Sequence, residues 1–151
     1  MTYKRCYLLV VQLLFVFCLQ AQLKADDIAG TWLTHGDKPA KILLYKQGNG
    51  KYYGKIVFLQ FPLENGKPQV DKNNPDKNKQ GQPLLGLELL TGFVFDKDEW
   101  DGGTIYDPEN GKSYSCTLTL KDKNTLKLRG YIGISLLGRT EIWTRTDAIS
   151  H

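Results

Sequence analysis

Turn residues recur at short, regular intervals from residue 30 onward, and that spacing excludes most folds. "GTWLTH" and "AKILLYKQ" are β-rich runs separated by "GDKP". "KYYGKIVFL" follows "GNG" (Gly48 to Gly50), where Gly and Asn supply the positive φ of a tight reversal. Later come "TGFVFD", "WDGGTIY", "KSYSCTLTL", "TLKLRGYI" and "RTEIWTR", with "DPENG", "KDKN" and "SLLG" between the last four. About eight strands at a spacing of roughly 8–12 residues are the pattern of an antiparallel sandwich or barrel. No helix-period segment of about ten residues competes.

Alternation tells which way the side chains point. In "KSYSCTLTL", Tyr114, Cys116, Leu118 and Leu120 share one face, while Ser113, Ser115, Thr117 and Thr119 share the other. Cys116 is therefore expected to be a small buried hydrophobe rather than a reactive thiol. Gly102 and Gly103 are expected to mark a bulge or tight bend.

Eight short strands remove their edges by closing. A barrel of that size has room for side chains or one small ligand. Trp32, two residues after Gly30, would plug one end. "RTEIWTR" places Arg139, Glu141, Trp143 and Arg145 on one face, so that in a closed barrel Arg145 would lie across the Trp32 ring. The alternative is a Trp in a sandwich core with Arg in solvent.

The chain starts differently. Lys4 and Arg5 precede the apolar run Cys6 to Leu19, interrupted only by Gln12, and "QAQLKA" follows. This is the layout of a secretory leader, expected to span residues 1–25 with cleavage after Ala21 or Ala25. The run is shorter than the roughly 20 apolar residues of a membrane span. Cys18 after Phe17 fits a lipid anchor badly. Residues 26–151 would form one barrel domain, exported to the periplasm or secreted. Losing Lys4, Arg5 and Lys24 from 20 basic residues leaves 17 against 16 acidic ones, a formal charge of +1. That gives no electrostatic case for nucleic acid or an anionic membrane. Of three Cys, only Cys116 would remain, which excludes an internal disulfide.

Gln60 to Leu84 breaks the strand pattern, being polar and rich in Pro and Gly. Loops this long inside a compact domain are uncommon and usually functional or mobile. Here the expectation is a lid, with Lys67, Lys72, Lys77 and Lys79 meeting a carboxylate at the barrel mouth. Leu84, Leu85 and Leu87 would cover an acyl chain. "LLGLELL" (Leu84 to Leu90) reads as a short helix or a strand.

Signals for catalysis are thin. The two His are the terminal His151 and the isolated His35, too few for a His-ligated metal site or a Ser-His-Asp triad. "DKNNPDKN" fails as a calcium loop: Pro75, Asp76 and Gln82 stand at its fifth, Gly and closing Glu positions. No metal and no cofactor is implied. The remaining signal is aromatic and basic. Trp32, Trp100, Tyr106, Tyr114, Arg129, Tyr131, Arg139, Trp143 and Arg145 are the candidate ligand-binding residues, and filling the core is their bland alternative.

Gly30-Thr31-Trp32 with Arg145 on the closing strand resembles the signature of calycin-type barrels, the lipocalins and fatty-acid-binding proteins. The rest resembles a family of small exported bacterial proteins known as a domain of unknown function. The resembling motifs are "GTW" at 30–32, "GKI" at 54–56, "NPD" at 74–76, "LLGLELLTGF" at 84–93, "GGTIYDPENGKSY" at 102–114 and "LRGYIGISLLGRTEIWTR" at 128–145. The resemblance implies an all-β, up-and-down, lipocalin-like barrel and export. It implies no activity and no catalytic residues.

Three functions compete. One is a binding module for a small apolar or amphiphilic, fatty-acid-like ligand. The second is an envelope or surface protein with a filled barrel and a protein partner. A hydrolytic enzyme has the least support. A lumen above about 300 Å³ favours the ligand, and a filled one favours the partner.

Overall fold

The structure, a computed structural model, describes residues 22–133 and 138–147. Most of the expected leader and most of the "SLLG" turn lie outside the described residues. Among the described residues a short 3-10 turn, Ala25–Ile28, leads into ten strands. These are β1 (Gly30–Leu33), β2 (Ala40–Lys46), β3 (Tyr52–Leu59), β4 (Leu63–Glu64), β5 (Lys67–Pro68), β6 (Glu88–Asp96), β7 (Glu99–Asp107), β8 (Lys112–Asp122), β9 (Thr125–Tyr131) and β10 (Gly138–Thr146). Eight of them close into an antiparallel barrel in the order β1-β10-β9-β8-β7-β6-β3-β2. The strands run up and down in sequence order. β4 and β5 form a separate two-stranded hairpin inside the long loop.

The reversals use the chemistry their residues offer. Gly50 has φ +78 after β2, and Gly111 has φ +70 after β7. The Asp107 carboxylate accepts from the Glu109 amide at 2.9 Å and the Asn110 side chain at 2.8 Å. Asp122 does the same for the Asn124 amide at 2.7 Å. Short acidic side chains that bond the backbone two residues on hold such turns. "LLGLELL" resolves as a turn followed by strand, with β6 starting at Glu88.

The bulge appears where the glycines stand. The β7–β8 register shifts between Trp100 and Gly103, and Gly102 takes φ +71. Gly103 returns to the inner face opposite Cys116. A Cβ there would lie 2.5 Å from the Phe93 ring, so the ring occupies the place of a side chain.

The lumen is filled. Trp32, Ile42, Leu44, Tyr52, Leu90, Phe93, Trp100, Cys116, Leu118, Leu126 and Leu128 are buried, and Ile56 and Trp143 nearly so. Trp100 packs against Phe95 at 4.8 Å and meets Tyr52 edge-on at 6.4 Å between centroids. Each large side chain taken out of water contributes about 1.5–3 kcal/mol.

Candidate functional site

Among the described residues four places gather chemistry. The first is the closed end. Trp32 on β1 and Arg145 on β10 are direct cross-strand partners. The guanidinium carbon sits 4.2 Å from the Trp32 ring centre. Arg145 donates to the carbonyls of Lys123 at 2.6 Å, Ala29 at 2.8 Å and Asp27 at 2.7 Å. Trp32 donates its indole N–H to the Ile28 carbonyl at 2.9 Å, and Trp100 donates to the Ala25 carbonyl at 3.0 Å. Gly30 is needed because Arg145 crosses its face: a Cβ would stand 2.7 Å from Nη1, and φ is +127. Tyr52 donates to the Asp26 carboxylate, which also meets Lys46. Tyr52's hydrogen bond, and then Lys46, hold the Asp26 carboxyl below its ordinary value. Leu23 and Ala25 pack on the core beside these contacts.

The second place is the mouth at the opposite end. On β10 the inner set continues from Trp143 through Glu141 to Arg139. The Trp143 indole donates to Glu141 Oε2 at 3.3 Å, and Glu141 Oε1 lies 3.4 Å from Arg139 Nε. Ile105 faces Tyr114 across β7 and β8. Gly130 opens toward both, at 3.7 and 3.8 Å from the place of its missing Cβ. Ile105 and Tyr114 are half-buried.

The third place lies outside the barrel. Glu99, Asp101, Thr117, Thr119, Lys127, Arg129 and Tyr131 line a depression of about 350 Å³. Cross-strand register builds it. Glu99 pairs with Thr119, and Thr119 with Lys127. Thr117 pairs with Arg129 and donates its hydroxyl to Asp101 at 3.0 Å. An acidic rail on β7 and a basic rail on β9 are therefore held two strand spacings apart, about 10 Å, over a threonine floor. Arg129 is fixed in its wall by Thr140 Oγ1 at 2.9 Å.

The fourth is the long loop, which is tied down. Asp71, fully buried, accepts in its carboxylate from the Tyr106 hydroxyl at 2.7 Å and from the Asn74 side-chain Nδ2 at 2.6 Å. Burial and this hydrogen bond push the Tyr106 hydroxyl up to about 12. Asn73 donates to the carbonyls of Pro108 and Glu109 at 3.1 and 2.9 Å. Lys72 pairs with Glu64 at 2.8 Å within the loop. The loop is thus held to β7 and its following turn, and Leu84 and Leu87 at its end pack on the core.

The nine candidate residues are thus divided. Trp32, Trp100 and Arg145 make the floor, Trp143 fills the interior, and Tyr114 and Arg139 stand toward the mouth. Arg129 and Tyr131 belong to the outer groove, and Tyr106 holds the loop. They do not converge on one pocket. Asp71, Asn73, Glu99, Asp101 and Lys127 were not among the candidates, and Thr117 and Thr119 were placed only on an outer face. The Thr alternation on β8 was visible, but the rails exist only once three strands are paired.

Burial pushes the Cys116 thiol up to about 12, so it stays protonated near neutral pH. His35 is exposed, with its ring 3.2 Å from Thr144 Oγ1. Among the described residues no group of three or more His, Cys, Asp or Glu is placed to hold a metal. Among the same residues no helix is long and apolar enough to cross a membrane.

The barrel is similar to the structure of protein HP1028 from the human pathogen Helicobacter pylori, a lipocalin-family protein. The TM-score is 0.69 at 22% identity, covering 80% of this chain and 83% of that one. That likeness establishes a lipocalin-like fold and no activity. Among curated proteins none matches the chain. The family model of an uncharacterized protein conserved in bacteria (DUF2147) matches residues 30–145, from the glycine under Arg145 to Arg145 itself, and the chain belongs to that family.

Proposed function

We propose that this is an exported, non-catalytic binding protein that meets a protein partner on the outside of a filled barrel. One observation carries this reading. The lumen is occupied by the protein's own aromatic and aliphatic side chains, while the β7–β9 depression lies outside it. An acidic and a basic rail over a threonine floor suit a partner strip carrying the opposite pair of charges, since complementary charge fixes register and selects partners. The leader-like first residues support export. The test is a photo-crosslinking residue at Thr119 or, separately, at Tyr114, in protein expressed in its own host. A single adduct from Thr119, lost in Glu99→Lys/Asp101→Lys, supports the outer groove. Adducts from Tyr114 alone would overturn it.

A second reading places a small amphiphile at the mouth. It is favoured by the lipocalin-like barrel and by half-buried Ile105 and Tyr114 around Gly130, with Arg139 as a cation at the rim. Barrel mouths are preferred pockets. Calorimetry of delipidated protein with a fatty-acid series decides it. Saturable heat with a negative heat-capacity change supports the mouth, and no heat across the series removes it.

A further inference from the structure

The sequence offers two small residues after the apolar run, Ala21 and Ala25, as equal sites for leader removal. The fold does not treat them equally. We infer that the leader is cut at the Ala21–Gln22 bond, and that residues 22–29 are kept as the floor of the barrel. This inference rests on the export reading above.

Each residue from 23 to 29 is used. Leu23 and Ala25 pack on the core. The Lys24 amide donates to Asp27 Oδ2 at 2.7 Å, and the Lys24 carbonyl accepts from the Asp27 amide at 3.0 Å. The Ala25 carbonyl is the acceptor for the indole N–H of Trp100, a ring with no exposure. The Asp26 carboxylate receives Tyr52, and the carbonyls of Asp27, Ile28 and Ala29 receive Arg145 and Trp32. Gln22, by contrast, is exposed.

Hydrolysis at either bond adds water to a carbonyl carbon, leaves a carboxylate on the alanine and frees an ammonium on the next residue. After Ala25, the lost half carries away the Trp100 acceptor and the Leu23 contact. The buried indole N–H is then unpaired, which a folded protein avoids. After Ala21, the new ammonium sits on an exposed residue and every floor contact survives. The two bonds, equivalent in the peptide sequence, thus differ in what the finished fold would lose.

Two measurements test it. The first is the intact mass of the protein recovered from its host's envelope, because an N-terminal Gln cyclises readily and then resists Edman chemistry. The mass of residues 22–151, as free amine or cyclised, is expected. The mass of 26–151 overturns the inference while leaving export standing. The full 1–151 mass overturns both. The second compares chains made without a leader and starting at Gln22 or at Asp26. The shorter chain should melt about 5 °C or more lower. Equal melting temperatures would show that Leu23 to Ala25 contribute nothing to the floor and would overturn the selection argument.

Discussion

Arg145 lies over the Trp32 ring, its guanidinium carbon 4.2 Å from the ring centre, and the two residues face each other in register across the seam that closes the barrel. The contact does two tasks. It covers the largest ring of the first strand, and its three donors bind two carbonyls just before β1 and one in the β8–β9 turn. Trp32→Ala should cost about 3–5 kcal/mol, the range for truncating a large buried ring. Arg145→Ala should cost less, and the double mutant less than the sum, because the two share one interaction. Denaturant melts of the four proteins check this. A Trp32→Ala loss below about 1 kcal/mol would place the ring outside the core.

Gly30→Ala tests the same seam from the backbone side. It meets both a left-handed φ of +127 and an Arg145 Nη1 only 2.7 Å from the new carbon. Adding Arg145→Ala relieves the collision and leaves the backbone strain. The melting temperature of the double mutant should therefore exceed the value expected if the two losses added.

The Cys116 thiol should not react with Ellman's reagent in the native protein at pH 8, and should react fully in guanidinium. Burial raises its folded value to about 12 from an ordinary 9.0. The stability linked to the neutral thiol is therefore complete below about pH 9 and is lost as pH rises toward 12. Cys116→Ala, which cannot ionise, should show a shallower alkaline fall in melting temperature.

At the acid end the sign reverses. Tyr52 and Lys46 hold the Asp26 carboxyl below its ordinary value of 3.8. Its contribution is present above that value and is lost as pH falls through the lower, folded one. Asp26→Asn should melt below the wild type at pH 7, with the gap closing below about pH 4. A gap that stays constant down to pH 2 would remove the ionic part of the contact.

The loop anchor is testable by protease. Tyr106→Phe deletes one donor to the buried Asp71 carboxylate, and Asp71→Ala strands the Tyr106 hydroxyl and the Asn74 amide. A buried polar group left unpaired costs about 1–3 kcal/mol, and a half-buried one such as Tyr106 or Asn74 costs less because water reaches it. Limited proteolysis should therefore cut between residues 72 and 82 faster in both variants, and faster still in Asp71→Ala.

The barrel itself was legible because strands announce themselves locally. Alternation placed Cys116 and Leu118 inside, paired glycines marked the bulge before Gly103, and Gly-x-Trp with a late Arg pointed to the seam. The long loop was only partly legible, for a physical reason. Polarity and Pro content reported that Gln60 to Leu84 adds no strand to the barrel, but said nothing of the β4–β5 hairpin or of where Asp71 ends up. Its partner Tyr106 is 35 positions away. The outer groove was invisible for the same reason, since Glu99, Thr119 and Lys127 become a row only through pairing across three strands.

The seam also dictates an order of events. The Ala29 carbonyl and the Arg145 guanidinium that bonds it are 116 residues apart in sequence, so the barrel shuts only when nearly the whole chain is present. Until then β1 and β9 each keep an unpaired edge, and chains dominated by such distant contacts fold slowly, in about milliseconds to seconds. A fragment stopped short of β10 is an open, adhesive sheet. Truncation from the C-terminal side should therefore abolish solubility abruptly at residue 145, well before it has removed most of the core.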